Sequence, residues 1–281
     1  MYSVTTEALP LTDAFPYKRK VTYYGDDAVP TRALLIYCHG GGLLYGERED
    51  LPELHLKTFT EAGFRIAAID YPMAPTIKLD GILEAVLDAV REVIEENRDL
   101  PYFLFGRSAG AYLMLLAAAS GKLTHKPSGI LSYYGYGFLT DQWFETPSAY
   151  YMQFPAVPES CLPDEDEAPF CDAPLDTYYD RYIYARQQGR WKDLIYEGRD
   201  KYFYRDYTLR LADSLGAPLF AAHSTGDTDV PYEEFRALQA KYHPETMIAV
   251  APLHDFDRDT EDPFTTKLLE KSVAFMDEHL G

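Results

Sequence analysis

The pentapeptide Gly106-Arg107-Ser108-Ala109-Gly110 constrains this chain more than any other stretch. It follows the apolar run 102–105 and opens the Ala/Leu-rich helical run 108–119. A G-x-S-x-G sequence set between a strand and a helix reads as a sharp turn that lifts the serine hydroxyl above the carboxyl ends of the strands. In such a turn the serine backbone is strained, and a Cβ at either flanking glycine would collide with neighbouring chain. Ser108 is therefore the candidate nucleophile.

The remaining chain repeats the same alternation. Short apolar, β-branched or aromatic runs occur at 21–24, 33–38, 64–69, 102–105, 129–134, 218–223 and 247–251. Most lack period-two alternation, as expected of strands covered on both faces of a mainly parallel sheet. Helical patterns lie between them. Over 77–97, Leu79, Ile82, Leu83, Val86, Leu87, Val90, Val93 and Ile94 mark one helix face. The run 232–242 is amphipathic, and Asp262-Pro263 supplies an N-cap and a first-turn proline for a terminal helix. Strands alternating with helices imply a right-handed, doubly wound α/β sheet in one domain spanning 1–281.

One stretch breaks this order. Residues 135–207 hold both tryptophans, Trp143 and Trp191, and eleven of the 24 tyrosines. A structureless loop of that length inside a compact domain would be unusual. The expectation is a folded, aromatic-rich insertion over one edge of the sheet, acting as a cap that walls a pocket.

His39-Gly40-Gly41-Gly42 follows the run 33–38. When a nucleophile attacks an acyl carbon, negative charge builds on the carbonyl oxygen, and backbone N–H groups stabilise it only where side chains leave room. Gly41 and Gly42 would offer two such donors and Ala109, after the serine, a third. A phosphate-binding loop is excluded by the lack of a following Gly-Lys-[Ser/Thr] and of G-x-G-x-x-G spacing. His39 reads as a structural hydrogen-bonder.

A serine needs a base, and the base needs an orienting acid. On this type of sheet the chain order is serine, acid, histidine. After the run 218–223 comes Ser224-Thr225-Gly226-Asp227-Thr228-Asp229-Val230-Pro231, which makes Asp227 the acid and Asp229 its rival in the same loop. After the last strand, Pro252-Leu253-His254-Asp255-Phe256 places His254 as the base. His223 precedes the acid, His243 ends a helix, and His55, His125 and His279 have no neighbours that suggest catalysis.

Charge and cysteines narrow the function further. With 26 Lys+Arg against 45 Asp+Glu the net charge is −19, which disfavours nucleic acid, anionic lipid and polyanionic substrates. Cys38, Cys161 and Cys171 are too few and too scattered for a zinc cage or disulfide framework, and free thiols are expected. The acidic run 255–262 fails as a calcium loop, with threonine at 260 and 266 where glycine and glutamate are required. It reads as a solvated lead-in to the last helix, and no metal or cofactor is implied. Without a signal-peptide core or a membrane-length apolar run, a soluble, cytoplasmic protein is expected. The sequence leaves the oligomeric state open, a homo-oligomer included.

With these residues in view, the chain resembles the α/β-hydrolase superfamily, nearest the hormone-sensitive-lipase-like and related bacterial carboxylesterases. Besides the elbow and the glycine run, Asp70-Tyr71-Pro72-Met73-Ala74-Pro75 is similar to that group's D-Y-R-L-A-P segment. The loop 226–231 is similar to its G-x-x-D-x-x-V-P acid loop, with Asp227 in the acid position. The chain departs from the group in three places. The elbow reads G-R-S-A-G-A instead of G-D-S-A-G-G, Pro72 replaces arginine, and the D-P-L-x-D form of the acid loop is absent. The group's N-terminal cap has no counterpart either, which would leave 135–207 to cover the pocket alone.

The resemblance implies a serine carboxylesterase with Ser108, Asp227 and His254 as triad and Gly41, Gly42 and Ala109 as oxyanion donors. The expected substrates are small-molecule acetyl to butyryl esters or, given the many stacking rings, aryl esters. An exopeptidase using Asp164, Glu165 and Asp166 to bind a substrate amine, an aryl-formamidase and a non-catalytic ligand receptor are the alternatives.

Overall fold

The computed structural model describes residues 2–164 and 166–280. Eight strands form one sheet: β1 (Ser3–Ala8), β2 (Lys20–Gly25), β3 (Ala33–Cys38), β4 (Phe64–Ile69), β5 (Tyr102–Arg107), β6 (Gly129–Tyr133), β7 (Leu219–Ser224) and β8 (Glu245–Ala249). Their spatial order is β1-β2-β4-β3-β5-β6-β7-β8. The strands from β3 to β8 run parallel, while β2 pairs antiparallel with β4 and with β1. The helices are α1 (Glu53–Glu61), α2 (Leu79–Glu96), α3 (Ala109–Ala119), α4 (Leu175–Gln188), α5 (Trp191–Ile195), α6 (Asp200–Asp206), α7 (Tyr232–Tyr242) and α8 (Pro263–Glu278).

The missing alternation in the apolar runs has a direct cause. Every residue of β3, β5, β6 and β7 is buried. Successive side chains still point to opposite faces. Leu34, Ile36 and Cys38 join the core formed with α2, α3 and α7, whereas Ala33, Leu35 and Tyr37 join the core formed with α1 and α8. Each fully buried aliphatic side chain, such as Leu113 of α3, contributes about 1.5–3 kcal/mol relative to exposure.

Two elements left no legible sequence signal. The edge strand β1, S-V-T-T-E-A, is exposed along its whole length, so no apolar run marks it. Helix α1 buries only His55, Leu56, Phe59 and Thr60.

The segment 135–207 is folded and contains α4, α5 and α6. It does not lie over a sheet edge, as the sequence suggested. Its Trp191 indole donates to the Gly42 carbonyl at 2.7 Å, beyond the end of the central strand β3, and Tyr182 donates to Asp229 beyond β7. The aromatic side chains that give it its composition belong to the larger core, with Trp143, Phe144 and Trp191 packed ring to ring at 5.7–6.3 Å. Among the described residues no helix is long and apolar enough to cross a membrane.

Candidate active site

Ser108 sits between β5 and α3 with φ 52° and ψ −118°, a conformation that costs a non-glycine residue on the order of 1–3 kcal/mol. The surroundings hold it there. A Cβ on Gly106 would lie 2.3 Å from the Ala111 nitrogen, and one on Gly110 would lie 2.0 Å from the Cys38 carbonyl oxygen. Both glycines let α3 pack directly against its own strand and the end of β3. The Ser108 N–H donates to the Tyr133 carbonyl at 2.9 Å, which anchors the turn to β6.

The loops after β7 and β8 bring Asp227 and His254 to this serine. His254 Nε2 lies 2.8 Å from Ser108 Oγ, and His254 Nδ1 lies 2.7 Å from Asp227 Oδ2. The other Asp227 oxygen accepts the backbone N–H groups of Asp229 at 2.8 Å and Val230 at 2.9 Å. Burial alone would raise the Asp227 pKa, but the charge and hydrogen bond of His254 outweigh it and hold the carboxyl below its usual range. Burial likewise pushes the His254 imidazole down, and the carboxylates of Asp227, Asp229 and Asp255 reverse this and raise it to about 9.

Asp229 occupies a different place in the same cleft. Its Oδ2 is 3.8 Å from His254 Nε2, the nitrogen facing the serine, whereas Asp227 meets Nδ1. Asp229 is held by the Tyr182 hydroxyl, 2.9 Å from both carboxylate oxygens, and by Arg186, whose Nε lies 3.3 Å from Oδ1. His223 donates to the Val230 carbonyl at 3.1 Å and lies 3.4 Å from Asp227 Oδ2, buried behind the loop. His243 caps α7, with a left-handed φ of 48°.

The glycine run folds over the serine. Gly41 and Gly42 have φ of 101° and 59°; a Cβ would lie 1.8 Å from the Tyr45 carbonyl oxygen at the first and 2.1 Å from Tyr182 Cε2 at the second. Both positions therefore require glycine. Among the described residues, the N–H groups of Gly41, Gly42 and Ala109 have no acceptor. The loop is buttressed by the 70–75 segment. Tyr71 stacks on the buried His39 ring at 4.2 Å, and its hydroxyl donates to the His39 and Gly40 carbonyls at 3.1 and 2.9 Å. Asp70 pairs with the buried Arg48 at 3.0 Å. Burial lowers the His39 pKa to about 4, so the ring is neutral near pH 7 and donates through Nδ1 to the Gly40 carbonyl at 2.8 Å.

Arg107, the variable residue of the elbow, carried no functional expectation from sequence. It is buried at the floor of the cleft beside Ser108, and its guanidinium donates to Asp257 at 3.1 Å. Asp257 also accepts from Tyr134 at 2.8 Å and meets His55 Nε2 at 2.8 Å. Asp257 thus departs from the expectation of a solvated acidic run: it is sealed from solvent, and burial, which opposes its charge, is outweighed by Arg107 and His55, which hold it well below the usual carboxylate range. A buried arginine at the end of β5 requires a buried acid from another segment, and that pairing is invisible in linear sequence.

The serine opens into a polar cleft of about 40 Å³, walled by Gly40, Tyr45, Tyr134, Tyr182, Asp229, Asp255 and Arg258. Among the described residues of 135–207 only Tyr182 lines it, so that segment does not cover the serine alone; Tyr45 and the 255–258 loop share the task. Asp164 and Asp166 are exposed and do not line the cleft, and Glu165 lies outside the described residues. Among the described residues, Glu245, Glu278 and His279 converge closely enough to share a metal ion, but at the surface and with no residue in common with this cleft.

Comparison with known proteins agrees with this fold. The chain is similar to a crystal structure of a protein of unknown function from Staphylococcus aureus, with 26% identity, a TM-score of 0.86, and 99% of this chain and 100% of that one covered. It is also similar to an alpha/beta hydrolase superfamily protein from Enterococcus faecalis, with 28% identity, a TM-score of 0.82, and coverage of 98% and 99%. An esterase from the bacterial hormone-sensitive lipase family shares the fold, at 16% identity and a TM-score of 0.68 over 99% of this chain and 85% of that one. Over 155 residues the chain is 28% identical to the non-reducing polyketide synthase adrD of Penicillium rubens, a match covering 49% of this chain and 6% of that much longer protein. A family model for the alpha/beta hydrolase fold matches residues 35–178, about half of the chain, from β3 through the elbow into α4. With that match and the strand order above, the chain belongs to the alpha/beta hydrolase fold family.

Proposed function

We propose that the protein is a serine carboxylesterase acting on small-acyl esters through an acyl-enzyme. The observation that carries this reading is the unbroken chain of hydrogen-bond distances from Ser108 Oγ through His254 to Asp227, 2.8 and 2.7 Å. In the proposed mechanism His254 Nε2 takes the Ser108 proton as Oγ attacks the ester carbonyl. The N–H groups of Gly41, Gly42 and Ala109 face the oxygen on which charge develops. His254 then returns the proton to the departing alcohol, leaving the acyl group on Oγ. Water, deprotonated by the same imidazole, attacks the acyl carbon; the bond to Oγ breaks, His254 returns the proton to Ser108 Oγ, and the acid is released. Asp227 fixes the tautomer and compensates the imidazolium.

The small cleft at Ser108, narrowed by Tyr45, Tyr134 and Tyr182, supports short acyl groups over long ones. The three cysteines are unpaired, which fits a cytoplasmic setting. The test is hydrolysis of p-nitrophenyl esters from acetate to palmitate by wild type and Ser108→Ala. The expected result is a short-chain optimum and a loss of at least ~10³-fold in kcat without the serine. Absence of turnover by wild type on every ester would overturn the esterase reading and direct attention to amides and formamides.

A further inference from the structure

Helix α4 reaches both halves of the site through one side chain. The Tyr182 ring lies against Gly42, where a Cβ would come within 2.1 Å of Cε2. Its hydroxyl donates to the Asp229 carboxylate at 2.9 Å. One turn further along the same face, Arg186 donates from Nη2 to the Asp229 carbonyl at 3.2 Å. Trp191, just beyond the helix, holds the Gly42 carbonyl from the other side. Asp229 in turn donates its backbone N–H to Asp227, so fixing Asp229 also fixes the acid that orients His254.

We propose that Tyr182 is a positioning residue that holds the Gly41-Gly42 loop and the Asp227–Asp229 loop in mutual register, making α4 an integral wall of the catalytic site. The kinetic consequences of this contact rest on the esterase reading, and the contact itself on geometry alone. Two loops from strands β3 and β7 share no direct hydrogen bond among the described residues, and in the spatial order of the sheet β5 and β6 stand between them. A rigid phenol pinned at its ring by one loop and at its hydroxyl by the other closes that gap. It does so with two rotatable torsions, a small ordering cost for a buried group. Asp229 also lies 3.8 Å from His254 Nε2, so the hydroxyl it accepts moderates how strongly its charge acts on that nitrogen. The other groups facing His254 are Ser108 on the elbow, Asp227 and His223 behind the acid loop, Asp255 on its own loop, and the Tyr134 ring at 4.7 Å.

Tyr182→Phe keeps the ring against Gly42 and removes only the hydroxyl. With p-nitrophenyl acetate, kcat is expected to fall ~10-fold with KM within about two-fold, the size of a lost hydrogen bond to a charged group. The acidic limb of kcat/KM should move to higher pH, because Asp229 without its donor favours the imidazolium more strongly. The same upward movement should appear in the NMR titration of His254 in a Ser108→Ala background, which requires no turnover. Tyr182→Leu removes the ring as well and should lower kcat further through the oxyanion loop. An unchanged His254 titration in Tyr182→Phe overturns the proposal, as does a rise in KM at constant kcat, which would make Tyr182 a substrate contact. If wild type cleaves no ester, the esterase reading falls, and the titration still decides whether Tyr182 acts on the acid loop.

Discussion

Arg107 and Asp257 meet at 3.1 Å with both side chains sealed from solvent. The first belongs to the elbow and the second follows His254 by three residues, so one buried ion pair ties the Ser108 turn to the His254 loop. Asp50 extends the tie outward, pairing with Arg107 at 3.4 Å and with Arg258 at 3.1 Å. Burying a charge is costly unless it is paired and hydrogen-bonded, and here Asp257 has three donors around it.

Removing that acid should therefore unfold the protein more readily. Asp257→Asn leaves buried Arg107 with only the more distant, partly exposed Asp50 as counter-charge and is expected to cost about 3 kcal/mol in urea unfolding. Because the folded-state pKa of Asp257 is depressed, its stabilising contribution is complete above about pH 4, the unfolded carboxyl value, and is lost as pH falls toward the folded value. A cost below about 1 kcal/mol would show that the pair is not what holds the two loops together.

The two aspartates of the acid loop should separate cleanly. Asp227→Asn removes the partner of His254 Nδ1 and should lower kcat about 10³–10⁴-fold, as expected when the base loses its tautomer control. Asp229→Asn leaves that bond in place and should lower kcat by no more than about 10-fold. Equal losses for the two variants would reverse the assignment of the triad acid.

Activity should depend on pH through His254. In the proposed mechanism the imidazole must be neutral to accept the Ser108 proton, and its pKa is raised to about 9. On this basis kcat/KM for p-nitrophenyl acetate rises with pH and levels off above about 9, and Asp229→Asn moves the limb to lower pH by removing a negative charge near Nε2. A flat profile from pH 6 upward, roughly the ordinary histidine range, would contradict the electrostatic environment described here.

The glycine loop proposed to hold the oxyanion offers a steric test. Gly42→Ala combines a φ of 59° with a Cβ 2.1 Å from the Tyr182 ring, so either the loop or α4 must move. A loss of about 10²–10³-fold in kcat is expected, comparable to removing one oxyanion donor. Retention of wild-type kcat would place the stabilising donors elsewhere.

The sequence by itself determined the strand–turn–helix elbow at Ser108, the glycine run at 40–42, and the order in which Asp227 and His254 follow. These are local matters: a turn that only glycine permits, an apolar run that only a doubly covered strand explains, and loops at fixed places after late strands. It also determined that 135–207 is folded, because so many aromatic rings must be buried somewhere. The tertiary structure alone decided where they are buried, over the ends of central strands with Trp191 on Gly42 and Tyr182 on Asp229. It alone decided that Arg107, His55 and Asp257 form one buried cluster across 202 residues of sequence. Local geometry is encoded by neighbours in the chain, whereas charge compensation and the packing of side chains between loops depend on which distant segments the sheet brings together. No periodicity or spacing rule carries that information.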